Sequence, residues 1–235
     1  MLLRAGMAVC LRVPVNSTLG LTHRMRASAQ PRWVQVLLLG LFCLSLYYLY
    51  RAVNYRFIVP GRMGPPNPIE PAWYYVHALF ALPVLLGAPL QFVSDLRARL
   101  PAVHRVVGRA YVFGATVAAV TAIYMGTAGP YEGSRLSIAL TGLLWLFSTL
   151  SAWRHAVALR FSVHRAFMVR SYTMALVLVW LRLMYDFQDY LFFFVKNEDL
   201  RDSTREWASW VIPLLAVELW LSWVPQLKAP KGREA

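Results

Sequence analysis

Acidic residues are scarce in this chain. It holds 11 Asp and Glu against 24 Lys and Arg, a formal net charge of +13, although 58% of its residues are hydrophobic. The basic residues are scattered over many short segments rather than gathered into one stripe. That pattern argues against nucleic acid as a partner and points to membrane topology and anionic lipid. Cysteine is as scarce: Cys10 lies in the N-terminal tail and Cys43 inside an apolar run. Neither a disulfide framework nor a cysteine metal motif is expected from them. The motifs of soluble enzymes are also missing, with no Walker loop, no G-x-G-x-x-G opening a helix, no H-E-x-x-H and no nucleophile elbow. The chain between the apolar runs is too short for a separate catalytic domain, so any chemistry belongs inside the apolar part or at its faces.

What the chain does have is apolar length. Six runs, 33–50, 73–94, 106–127, 136–153, 166–186 and 208–224, approach the ~20 residues a helix needs to cross ~30 Å of hydrocarbon. Lipid offers no partner for backbone polar groups, so continuous runs of this kind are helices. A barrel would show ~10-residue alternating segments instead. The expected fold is all-α: a polytopic transmembrane bundle of about six spans over 33–224, with a basic tail at 1–32 and another at 225–235. The tail 1–32 carries five arginines and no acid. It imitates a transit peptide, and Met25 is an alternative start. The first span lacks an A-x-A cleavage signal and is expected to be retained.

Lys and Arg divide unevenly between the two sides. Segments 1–32, 95–105 with Arg109, 154–165 and 225–235 hold 15 of them, and segments 51–72, 128–135 and 187–207 hold 7. The positive-inside rule then puts both termini in the cytoplasm. Trp33, Trp153, Trp220 and Trp223 fall at expected inner ends. Tyr47, Tyr48, Tyr50, Trp73, Tyr74, Tyr75, Trp207 and Trp210 fall at outer ends, as an aromatic belt requires. Segment 51–72, with Pro60, Pro65, Pro66, Pro68 and Pro71, reads as an irregular outer loop. Pro83 and Pro89 predict a kink in the second span.

Ionisable groups within spans are costly unless paired or wetted, so they mark candidate sites. Four stand out: His77, Arg170, Arg182 and Glu218. Glu218 lies mid-span at a depth that Arg170 can reach. The two form either a structural ion pair or a proton-carrying site. Arg182 precedes Asp186 by one turn on the same face. It either snorkels to the outer interface or clamps an anionic group. His104 and His164 open the third and fifth spans at one level, whereas His77 is about 25 Å away. A three-histidine metal site is therefore not expected. A haem b held between His104 and His164 is a candidate, with Arg109 and Arg170 serving its anionic groups and Tyr111 and Tyr172 lining the site. Arg105 and Arg165 are further candidate cations there. His23 and His155 read as loop residues. On the outer side a quinone would dock against His77 and Arg182. The alternative is that the two histidines are simply hydrogen-bonded helix-start residues.

There is a faint internal echo. His104-Arg105 is followed by Arg109 and Tyr111, and His164-Arg165 by Arg170 and Tyr172. The second-to-third and fourth-to-fifth spans would then be two similar hairpins.

These residues also carry a resemblance. Gly87-Ala88-Pro89-Leu90-Gln91-Phe92, then His104 to Tyr111 as H-R-V-V-G-R-A-Y, then His164 to Tyr172 as H-R-A-F-M-V-R-S-Y, then Leu181-Arg182-Leu183, stand in this order. The series resembles a family of bacterial membrane proteins, domain-of-unknown-function 2306, over roughly 73–224. The family pattern has Trp where this chain has Phe167. The resemblance implies a multi-pass protein of the bacterial inner membrane. It singles out His77, Gln91, His104, Gly108, Arg109, His164, Met168, Arg170, Ser171, Tyr172 and Arg182, but implies no activity. Three readings follow from the residues: a haem- or quinone-binding redox module, a small proton-coupled transporter working through Glu218, or a non-catalytic assembly protein. All three have the lipid bilayer as their first partner.

Overall fold

The computed structural model describes residues 31–54, 71–128 and 132–228. Their regular structure is entirely helical. The helices are α1 (Arg32–Val53), α2 (Pro71–Phe92), α3 (Ser94–Arg99), α4 (Pro101–Ala128), α5 (Arg135–Val157), α6 (Phe161–Ala175), α7 (Val177–Asp186), α8 (Gln188–Leu191), α9 (Glu198–Glu218) and α10 (Val224–Lys228). A π-helical turn, Leu219–Trp223, joins α9 to α10. Among the described residues five helices are long and apolar enough to cross a membrane, and six if α6 and α7, bent by 42° at their junction, are taken together as one span. This is the all-helical, multi-pass architecture the apolar runs predict.

Helix ends follow local chemistry. Pro71 and Pro101 occupy first helical positions, where the missing N–H has no partner to lose. Asn197 caps α9, its side chain accepting from the Leu200 N–H at 3.0 Å, and Glu198 and Asp199 follow in the first turn, where the helix dipole favours them. The reversal from α5 to α6 is tighter. Leu159 takes φ 57°, the Arg160 N–H donates to the His155 carbonyl at 2.9 Å, and the Leu159 N–H donates to the Ala156 carbonyl at 3.1 Å. This is the paired closure of a helix C-terminus that glycine usually makes. Leucine there costs about 1–2 kcal/mol.

Four helices make the core. α4 packs along α2 on one side and α5 on the other, α5 packs along α6, and α6 closes against α2. α4 and α6 are therefore diagonal partners. Lipid gives helices no hydrophobic reason to associate, so close backbone packing must hold them. The residues are suited to that. Ala115, Ala118 and Ala119 of α4 are fully buried. A Cβ on Gly126 would sit 2.7 Å from the Ala139 backbone nitrogen of α5. Outside this core, α9 packs on α6 and α7, and α1 touches α2 and α7. The Arg51 guanidinium pairs with Asp186, which also accepts from the Tyr48 hydroxyl at 3.1 Å.

The structure departs from the sequence expectations in two places. The fifth span is broken at Leu176 rather than continuous over 166–186. The last helix begins at Glu198, ten residues before the expected 208, so Glu198, Asp199, Asp202 and Glu206 lie on a helix and not in a loop. Apolar-run reading misses this because the first turns of α9 are polar on their exposed side. α2 runs through Pro83 and Pro89 as one helix. Of the proline-rich loop, α1 extends to Val53, α2 starts at Pro71, and 55–70 lie outside the described residues, as do 1–30 and 229–235 of the tails. The echo is incomplete too, since α4 is continuous where its counterpart breaks at Leu176.

Gly126→Ala should force α4 and α5 apart and destabilise the protein by about 1–3 kcal/mol. Gly40→Ala, with nothing within 4 Å of the new Cβ, should not. Thermal unfolding in detergent compares them, and equal midpoints would show that the Gly126 contact does not hold the bundle.

Candidate functional site

The tight reversal puts three histidines at one end of the bundle. His164, in the first turn of α6, places Nδ1 2.9 Å from the Ala152 carbonyl of α5. A carbonyl only accepts, so Nδ1 carries the proton and donates it, and Nε2 keeps a free lone pair. His104, in the first turn of the diagonal helix α4, is half-buried; its backbone N–H donates to the Leu100 carbonyl at 3.1 Å, and its ring makes no hydrogen bond to a described residue. Its electrostatic neighbours are His164, Arg97 and Arg105. His155 is a correction. It belongs to the last turn of α5, not to a loop. Its ring stacks on Phe167 at 5.8 Å and 8°, and its buried Nδ1 has no partner. The basic end of the span, Arg154-His155, was the available signal.

Gln91 of α2 lies one turn deeper. It is 7% exposed, and its Oε1 lies 3.5 Å from where a Gly108 Cβ would be. Its amide nitrogen is buried without a partner. Deeper again is a hydroxyl node. Tyr111 of α4 and Ser171 of α6 are 2.9 Å apart, and Ser171 and Thr149 of α5 are 2.7 Å apart. Tyr111 and Ser171 each lie seven residues past a histidine, about 10 Å deeper. The residue opposite Tyr111 is therefore Ser171. Tyr172, which the echo pairs with Tyr111, turns its ring toward Phe92 at 5.7 Å, and its buried hydroxyl has no partner. Two orphaned donors, the Gln91 amide and the Tyr172 hydroxyl, thus lie above the histidine pair. A buried donor left unpaired costs about 1–3 kcal/mol, so water or a ligand group is expected there.

Arg170 and Glu218 do pair. Arg170 donates through Nε and through Nη2, the latter at 2.8 Å. The Ser222 hydroxyl adds a third donor to the carboxylate at 3.1 Å, and the guanidinium lies 5.2 Å over the Phe167 ring. The pair lines a cavity of about 280 Å³ with Phe147, Ser148, Phe167 and Met174. The π-turn begins directly after Glu218, bringing Ser222 back onto the carboxylate. Arg170 is thereby committed to Glu218. Arg109 lies on the exposed face of α4 and pairs with no acidic group among the described residues. These two arginines do not converge on the histidine pair; Arg97 and Arg105 are the cations beside it.

The candidates at the opposite end from the histidine pair separate. His77 places Nδ1 2.9 Å from the Ala118 carbonyl and 3.1 Å from the Thr121 hydroxyl, both on α4. Ala118 is fourteen residues beyond His104, about 21 Å. Arg182 instead lines a cavity with Asp202, Arg205 and Glu206 of α9. His77 is not part of that lining, and Asp186 turns to Arg51 of α1 rather than to Arg182. Among the described residues, no group of three or more His, Cys, Asp or Glu is arranged to hold a metal ion.

Residues 74–221, from the first turn of α2 through all of α9 and the first part of the π-turn, match the family described as predicted membrane protein (DUF2306). No curated protein and no solved structure matches the chain. The matched segment contains every candidate above from His77 to Glu218 and leaves out α1.

Arg170→Met and Glu218→Met should each strand a charge in the apolar region and destabilise the protein by about 2.5–3.5 kcal/mol. The double variant should recover most of that loss. A double variant as unstable as the worse single one would show that the pair is more than a structural clamp.

Proposed function

The chain belongs to the DUF2306 family of predicted membrane proteins, and from that premise we propose that it is a redox module binding one haem b between His104 and His164. The observation that carries this reading is the hydrogen bond from His164 to the Ala152 carbonyl at 2.9 Å. Metal-ligating histidines characteristically donate their second ring nitrogen to a carbonyl or carboxylate, which fixes the ring and raises the basicity of the free nitrogen. His104 supports it from the diagonal helix with an uncommitted ring.

The donor set fits haem in other respects. Two neutral imidazoles are the ligands that low-spin haem iron takes. Gly108, one turn beyond His104, lets the Gln91 side chain of α2 lie against α4. Arg97 and Arg105 offer charge to propionates in place of Arg109 and Arg170. The Gln91 amide and Tyr172 hydroxyl are free to donate to the cofactor or to water beside it. Bound there, haem would supply one-electron transfer, and the chain's part is to hold two imidazoles at one level and keep lipid out. We further place the protein in the bacterial inner membrane with both termini in the cytoplasm, which puts the histidine pair on the cytoplasmic side, where Arg97, Arg99, Arg105, Arg154, Arg160 and Arg165 cluster.

Transport through Glu218 is the less favoured reading, because that carboxylate already accepts from three donors. A quinone held jointly by His77 and Arg182 is not favoured, because the two face different helices.

The protein purified in mild detergent after expression with ample haem should show a reduced-minus-oxidised difference spectrum of haem b. His104→Ala and His164→Ala should each lose at least nine-tenths of it (a tenfold drop corresponds to about 1.4 kcal/mol), while His77→Ala keeps it. A flat wild-type spectrum, or unchanged spectra in both alanine variants, would sink the assignment.

A further inference from the structure

The far end of the molecule holds a second site, independent of the histidine pair. A cavity of about 250 Å³ opens there between α7 and α9, lined by Ser134, Leu181, Arg182, Tyr185, Asp202, Arg205 and Glu206. Arg205 is its fixed part. It is 7% exposed, donates to Gln188 and Asp202, and lies 4.8 Å under the Tyr185 ring. Its Nε–H is nevertheless buried without a partner. A guanidinium held on two sides and stacked on a third, with one donor left over, is a built site rather than a solvated side chain.

The other two charges are uncommitted. Arg182 on α7 and Glu206 on α9 interact electrostatically, yet no salt bridge joins them. Neither side chain hydrogen-bonds to a described residue, although both line the same space. A simple anion here would meet the carboxylates of Asp202 and Glu206. A simple cation would meet two arginines. A molecule carrying both signs a few ångströms apart satisfies both sets.

We infer that this cavity binds a zwitterion bearing a phosphate and a primary ammonium, the headgroup chemistry of an aminophospholipid. The phosphate lies between Arg182 and the Nε–H of Arg205, and the ammonium donates to Glu206. Position favours a lipid headgroup over a free solute. The cavity lies at the end of α7 and in the first turns of α9, with Tyr185 in its wall and the half-buried Trp207 directly after Glu206, the amphipathic rings that an aromatic belt sets at the headgroup layer. The primary ammonium is the discriminating feature, because three N–H donors can engage Glu206 and a quaternary ammonium has none.

Native mass spectrometry of the detergent-purified protein, titrated with dioleoyl phosphatidylethanolamine, phosphatidylcholine and phosphatidylglycerol, tests this. One phosphatidylethanolamine should bind roughly tenfold more tightly than either other lipid, the size expected of a charge-assisted hydrogen bond. Arg182→Gln should weaken its binding by a similar factor. Glu206→Gln should abolish the preference over phosphatidylcholine. Both positions are at the cavity wall, and unchanged elution and melting will show that the variants fold. Competition with free phosphoethanolamine separates the sources: displacement shows that the headgroup alone is recognised, and failure to displace shows that the acyl chains are needed, with the ammonium–phosphate chemistry retained in either case. Equal wild-type binding of phosphatidylethanolamine and phosphatidylcholine, or a preference that survives Glu206→Gln, would overturn the assignment.

Discussion

The hydrogen bond from His164 to the Ala152 carbonyl depends on how sharply α5 turns into α6. Three residues make that turn, and Leu159 accepts a left-handed backbone to do so. A longer loop would let the start of α6 slide away from the end of α5. The short one holds His164 on Ala152 and His155 on Phe167. From Phe167 the order continues to Arg170, whose guanidinium covers the same ring, and through Arg170 to Glu218 and the end of α9. The histidine end is thus organised from one reversal.

The polar groups inside the bundle divide into satisfied and unsatisfied. Tyr111, Ser171 and Thr149 satisfy one another and tie α4, α5 and α6 at one depth. Arg170, Glu218 and Ser222 form a second closed set. Such sets hold helices together where the hydrophobic effect between them is absent. Unpartnered buried groups remain beside them: the Gln91 amide and Tyr172 hydroxyl above the histidine pair, His155 Nδ1, the Trp145 and Trp180 indole N–H groups, and the Nε–H of Arg205, a residue that lines the far cavity. Closed sets account for the architecture, and the open groups of Gln91, Tyr172 and Arg205 lie at the two candidate sites.

Span number and helical class were legible because they rest on apolar length, which lipid enforces directly. The Arg170–Glu218 pair was legible from depth, since a mid-span carboxylate needs a cation at its level. The break at Leu176 was not, because no proline or glycine marks it. The polar run Ser171-Tyr172-Thr173 just before it was the only local hint. The early start of α9 was hidden by its charged first turns, which read as loop. Spacing put Asp186 on one helix face with Arg182, yet tertiary packing gave it to Arg51 of α1, a partner no local rule indicates. Arg109 and Arg170 seemed equivalent by motif, but the helical period turns Arg109 outward and Arg170 toward α9.

The most direct test of the account is electron paramagnetic resonance of the oxidised, haem-loaded protein at low temperature. Two imidazoles from His104 and His164 predict a low-spin ferric signal integrating to about one haem per chain. A purely high-spin signal, or no haem signal at all from protein supplied with haem, would contradict the paired-histidine site.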